Sequence, residues 1–433
     1  MVSDRFPAVE GRRPYDPVDL SSRAFWSQTA AQREKSYAVL REQRPVSWHP
    51  PIEGNSAPSE GAGFWAIVRH EDIVTVSRQN SVFIAGAGVL FEDIPEGTLD
   101  GSLSLLAMDH PGHTKLRRLV CGAFTMKRVT QMKEIMEAHA RQIVDELAAC
   151  PDGRADFIEK CSSLFPMRVI SDIVGISRDQ QDDVVAAAIA LSSVAPDETA
   201  TDGLALMEGA MKGNRFLRDV ALDLATRRRA QPADDLMTVL VEAESEGERL
   251  TDSEIVDLFV LLCIAGYDST KQTINHGLKL LTDLPQQRAW LLEDLEGRIG
   301  TAVEEILRYA TSVMTFRRTA AINTELGGQH IKAGDKVVMF YPSGNRDASI
   351  FPEPECFDLS RDPNPHVAFG GGGAHFCLAA QLARFQLRAL FTTLLRRLPD
   401  IEAEEPQYTA STSLNKISRL PCRFTAGWTG RTG

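Results

Sequence analysis

Residues 251–283 constrain this chain more than any other stretch. Thr251 and Glu254 form a capping-box pair, a start signal in which each side chain satisfies the other's backbone N–H. Helix-compatible sequence then runs for about thirty residues, roughly 50 Å of helix. Residues 259–265 (FVLLCIA) are apolar on every side, so the middle of this helix is predicted to be buried. Yet Gly266, Asp268, Ser269 and Thr270 interrupt that middle with poor helix formers. Local rules broken at the centre of a buried helix often mark function.

The second organising stretch is FGGGGAHFCLA, residues 369–379. Four consecutive glycines make a loop without side-chain bulk, whose backbone can lie close against something flat or large. Sequence with helical periodicity follows to residue 398, which puts Cys377 near a helix start, where backbone N–H groups favour an anionic sulfur. That chemistry suits a thiolate bound axially to a metal-centred macrocycle resting on the glycine loop. A phosphate-cradling loop is excluded because no Lys-Ser or Lys-Thr follows the glycines, and the dinucleotide fingerprint lacks its last glycine. No CxxC occurs for structural zinc. Taken alone, a glycine turn before a helix carrying an inert buried Cys fits the stretch equally well.

The remaining chain adds address and context. A net charge of −12 argues against nucleic acid or an anionic membrane as the main partner. Seven scattered cysteines form no disulfide framework, which fits a reducing cytoplasm. No apolar run is long enough to span a membrane, and residues 1–20 read as a flexible leader without a signal region. Further helices are expected over 27–43, 133–150, 157–174, 179–193 and 201–229, with strands at 46–49, 64–68 and within 319–341. Residues 84–106 form a long loop rich in glycine and apolar residues, and a loop of that kind usually lines a binding site. His113 and Arg117 stand four apart on one helical face and suit a carboxylate, although nearby Lys115, Arg118, Lys127 and Arg128 fit a solvated basic face as well.

Taken together, these motifs resemble the cytochrome P450 family. The haem-binding pattern F-G-x-G-x-[HR]-x-C-x-G is met by Phe369, Gly370, His375 and Cys377, with one extra residue inside it and Ala379 where glycine is usual. The insertion, and the segment VVMFYPSGNRD, are similar to a bacterial branch that oxidises sterols and branched terpenoids. The central pattern [AG]-G-x-[DE]-T is met by Ala265, Gly266 and Asp268, with Ser269 in place of threonine. Glu305 and Arg308, followed by Arg361, resemble the family's structural triad. Arg318 and His366, with His113 and Arg117, match positions that hold haem propionates. The fold implied is a single-domain P450 prism over residues 1–433, mainly α with small antiparallel sheets, around the long helix.

The resemblance implies a monooxygenase carrying haem b (iron protoporphyrin IX), with Cys377 as the iron's ligand. Asp268 and Ser269 are the implied proton-delivery residues. The substrate would be a hydrophobic small molecule, a terpenoid or steroid, in a pocket drawing on Val89, Leu90, Ile264, Val313, Met314, Phe316 and Leu414. O₂ and electrons from a separate ferredoxin and its NAD(P)H-linked reductase complete the system, since no reductase module is apparent. Their dock is expected where Lys115, Arg118 and basic residues of the Cys377 helix gather. A cytoplasmic monomer is expected. A peroxide-driven peroxygenase and a non-catalytic haem-thiolate binding protein are the rival readings.

Overall fold

The computed structural model describes residues 13–53, 63–93, 104–192, 203–245 and 247–426. The helix Asp252–Asp283 begins as its cap dictates. Thr251 Oγ1 accepts the Glu254 N–H at 3.2 Å, and Glu254 Oε2 accepts the Thr251 N–H at 2.8 Å. Ile255, Leu258, Phe259, Val260 and Cys263 are fully buried. The helices Leu164–Val174, Arg178–Ser192, Gly203–Ala230, Pro285–Glu293, Leu295–Ala310 and Ala380–Arg397 pack against it. The expected interruption at Gly266 does not break this helix, which is continuous to Asp283. The reason is packing. A Cβ on Gly266 would stand 2.5 Å from Ile170 Cδ1 of the neighbouring helix, so the glycine allows a close approach.

Beside the helices lies a five-stranded sheet in the order Val46–His49, Phe64–Ile67, Lys336–Phe340, Thr315–Ala320 and Phe83–Ile84. Its pairings are antiparallel except one. Lys336–Phe340 runs parallel to Phe64–Ile67, pairing Val338 with Ala66, so the main sheet is mixed rather than antiparallel. Central strands of such a sheet are covered on both faces, which suits the apolar runs FWAI and VVMF.

The expected helix 27–43 is observed as Ala30–Gln43 behind a Thr29–Gln32 capping box. The expected helix 157–174 is a π-helical turn, Ile158–Ser162, followed by Leu164–Val174. Helices such as His70–Arg78, Leu236–Glu242 and Pro285–Glu293 have no counterpart in the sequence reading. Of the supposed flexible leader, residues 1–12 lie outside the described residues, and the rest is anchored. The Arg13 guanidinium sits 4.6 Å from the Trp48 ring and 4.4 Å from the Trp65 ring, and Leu20 is fully buried. Residues 94–103 of the expected pocket loop also lie outside the described residues.

Candidate active site

The glycine loop packs against the helix His70–Arg78 on one side. A Cβ on Gly371 would come within 2.8 Å of Val74 Cα, and one on Gly373 within 2.2 Å of the Ser77 carbonyl oxygen. Gly370, Gly372 and Gly373 have φ of +95°, +92° and +75°, which side-chain-bearing residues rarely adopt. A Cβ on Gly370 would meet nothing within 4 Å, and this residue faces an internal cavity of about 440 Å³. The loop thus spends two glycines on the helix beneath it and leaves a flat face towards the cavity.

Cys377 lines the same cavity with Phe369, His375 and Ala379. Its N–H donates to the Phe369 carbonyl at 3.1 Å, which closes the loop. Burial pushes the Cys377 thiol up, while the Ala379 N–H, Arg117 and Arg384 pull the other way and lose. The helix itself starts only at Ala380, so the helix-start effect expected of the sequence is weaker than burial. Thiolate at this sulfur calls for a cation supplied from the cavity.

The opposite wall comes from the central helix. Ile264, Ala265, Gly266, Asp268 and Ser269 line the cavity, as does Thr270. The Ser269 hydroxyl donates to the Ala265 carbonyl at 2.8 Å, leaving its oxygen free to accept towards the cavity. Asp268 is 6% exposed, and the Lys271 ammonium lies 2.6 Å from its carboxylate. Lys271 also sits 4.6 Å over the Tyr267 ring. Burial acts to lower the Lys271 pKa, but Asp268 and Tyr267 outweigh it and hold it raised. Lys271 was missed in the sequence, although its i,i+3 spacing from Asp268 was a usable signal.

A buried cationic group meets the cavity rim. The His113 and His375 rings are 4.2 Å apart, and Arg117 Nη2 donates to the Phe376 carbonyl at 2.6 Å. Arg318 is 5% exposed, and its Nη1 donates to the Arg317 carbonyl at 2.7 Å. Burial, then Arg318, His113 and Arg117, push the His375 pKa down to about 3. His113 Nε2 and Arg318 Nε are buried without a partner among the described residues. Orphaned buried donors beside two arginines call for an anionic ligand. They fit the carboxylates of a haem.

Two expected site residues stand elsewhere. His366 does not face the cavity: its Nε2 is 3.1 Å from Glu304 Oε2, and its Nδ1 accepts the Ala368 N–H at 3.2 Å. Both ring nitrogens are used, so none is left for a propionate. Met314 turns away from the pocket as well, its sulfur 3.6 Å from the Arg33 guanidinium. The other expected pocket residues, Val89, Leu90, Val313, Phe316 and Leu414, line the cavity.

Glu305, Arg308 and Arg361 come together as a buried cluster. Glu305 and Arg308 have no exposed surface, and two hydrogen bonds of 2.7 and 2.8 Å join them. Arg361 Nε lies 3.2 Å from Glu305 Oε2. Next to this cluster, Glu304 binds Arg384 at 2.7 and 2.8 Å as well as His366. The basic docking face expected of the sequence is therefore largely neutralised. Lys115 is 3.3 Å from Glu248, Arg384 is held by Glu304, and Arg397 by Asp145 at 2.9 Å.

The comparisons with known proteins agree with this arrangement. The protein-family model "Cytochrome P450" matches residues 214–410. A methyl-branched lipid omega-hydroxylase of Mycobacterium tuberculosis is 36% identical over 94% of this chain and 95% of its own. A steroid C26-monooxygenase of Mycolicibacterium smegmatis is 33% identical over 90% of each. Among solved structures, a Mycobacterium marinum cytochrome P450 in complex with pseudoionone superposes with a TM-score of 0.91 and 53% identity, covering 96% of this chain and 100% of that one. Among the described residues, no helix is long and apolar enough to cross a membrane. With its loop, cavity and central helix so arranged and relatives matching end to end, this chain belongs to the cytochrome P450 family and is a haem-thiolate monooxygenase.

Proposed function

We propose that this single-domain enzyme hydroxylates an unactivated C–H bond of a terpenoid, steroid or branched lipid, with haem b ligated by Cys377. The observation that carries the reading is one apolar cavity with Cys377 and Gly370 on one wall and Ala265, Asp268 and Ser269 on the other. The relatives named for steroids and methyl-branched lipids, and the neighbour solved with pseudoionone, support the substrate class.

Bound, the haem supplies O₂ activation and insertion of one oxygen atom into a C–H bond. The chain's own residues do the rest. Arg117, Arg318, His113 and His375 hold the carboxylates at the rim. Val89, Leu90, Ile264, Val313, Phe316 and Leu414 exclude water and orient the substrate. The Ser269 oxygen accepts a hydrogen bond at the cavity wall, and Asp268, paired with Lys271 beside it, takes part in proton delivery. A ferredoxin and its NAD(P)H-linked reductase supply the electrons. The enzyme reconstituted with such a pair should convert pseudoionone, a steroid or a branched lipid to a product heavier by one oxygen that derives from O₂. Absence of labelled product across all three classes refutes the reading.

A further inference from the structure

The cavity wall formed by Val89, Leu90, Val313, Phe316 and Leu414 is apolar, and beside it Glu92 is the charged side chain, with the hydroxyls of Thr315 and Ser413. The Thr412 hydroxyl donates to Glu92 Oε1. Its other carboxylate oxygen has no partner among the described residues. An ionised carboxylate only accepts hydrogen bonds, so the open oxygen calls for a donor. Among the neighbouring hydroxyls, those of Thr315, Ser312 and Thr273 are engaged elsewhere. Thr315 donates to the Thr412 carbonyl at 2.8 Å, and Ser312 and Thr273 bond each other at 2.7 Å.

Charge decides what kind of donor fits. Asp93, the next residue, binds both Arg317 and Lys336. Glu92 counts among the charges acting on Lys336, so these groups form one electrostatic set. Two acids and two bases sum to zero. A neutral donor preserves that balance, whereas a substrate carboxylate would add a second anion opposite Glu92. A ketone or ether would leave the carboxylate oxygen desolvated and unpaired, which is costly.

We propose that Glu92 is a specificity-determining residue that receives a hydroxyl of the substrate, so that the enzyme prefers apolar alcohols over the ketones, ethers and acids of the same skeleton. This rests on the monooxygenase reading and narrows its substrate class. Thr412 is the positioning residue, fixing one carboxylate oxygen so that the other faces the cavity.

The test is a low-to-high-spin titration of the ferric holoenzyme with pseudoionol, its methyl ether and pseudoionone, and with a hydroxysteroid and its methyl ether. A hydrogen bond to a charged group corresponds to a preference of about tenfold to a hundredfold for the alcohols. Glu92→Gln should shrink that preference to within about threefold, and Thr412→Val should weaken alcohol binding without improving the ether. Equal binding of alcohol and ether by the wild type overturns the proposal, as does tighter binding of the ketone, or no spin shift on either skeleton. A preference unchanged in Glu92→Gln also overturns it. The wild-type series stands even if a variant misfolds. The reduced carbon-monoxide spectrum separates the two readings: a normal haem-thiolate band without alcohol preference sinks only the Glu92 proposal, and loss of the band sinks the underlying function.

Discussion

Glu305→Ala is the perturbation whose cost can be worked most directly from the structure. The Glu305 carboxylate accepts from Arg308 Nε at 2.8 Å and Arg308 Nη2 at 2.7 Å. It also takes the Asp358 N–H at 2.9 Å and Asn364 Nδ2 at 3.0 Å, with Arg361 Nε 3.2 Å away. Truncation orphans these donors and leaves Arg308, fully buried, without its counter-charge. Arg308 keeps three carbonyl partners, Asn345, Pro354 and Cys356, which limits the loss. The expected cost is about 3–5 kcal/mol, as for breaking one side of a buried ion pair. Glu305→Gln keeps the shape but removes the charge, so it should lose stability by a smaller amount, about 2 kcal/mol. The assay is urea unfolding followed by circular dichroism and by Soret absorbance, with haem content measured per protein. An alanine variant within about 1 kcal/mol of wild type and fully loaded would refute the reasoning.

Two further outcomes concern neighbouring charges and the central helix. Burial raises the Glu304 pKa, but His366 and Arg384 win and hold it at about 2 rather than 4.5, so its stabilisation is present above pH 4.5 and lost as pH falls towards 2. The difference between wild type and Glu304→Gln in urea unfolding should shrink by about 3 kcal/mol across that window, and a constant difference contradicts the ion-pair account. Ser269→Ala should lower product formed per NAD(P)H oxidised and Ser269→Thr raise it, because the added methyl restricts the rotamer, while Asp268→Asn slows turnover outright. Unchanged coupling in Ser269→Ala with poor coupling in Thr270→Ala would assign the alcohol to Thr270, which also faces the cavity.

What the sequence made legible was local. The Thr251–Glu254 cap, the Glu305–Arg308 pair and the apolar centre of the long helix follow from spacings of three or four residues. Its continuity through Gly266 did not follow, because a propensity cost of about 1 kcal/mol is small beside the packing gained against Ile170. His366 was misplaced because its partner Glu304 is 62 residues away in the chain, a separation no periodicity reports. Met314 was misplaced for a subtler reason. Alternation back from Phe316 puts Met314 on the cavity face, but the strand begins only at Thr315. An isolated bridge between Val313 and Leu414 turns Val313 inward instead. Glu92 carried a visible signal, an acid inside an apolar loop, but its meaning needed Thr412, 320 residues on.

The central claim is that Cys377 is the axial thiolate, and the reduced carbon-monoxide complex tests it most directly. The wild type should show the red-shifted Soret band that a thiolate opposite carbon monoxide produces. Cys377→His should retain folded protein but lose that band, since imidazole does not donate charge as a thiolate does. A wild type lacking the band, or a histidine variant that keeps it, would contradict the account.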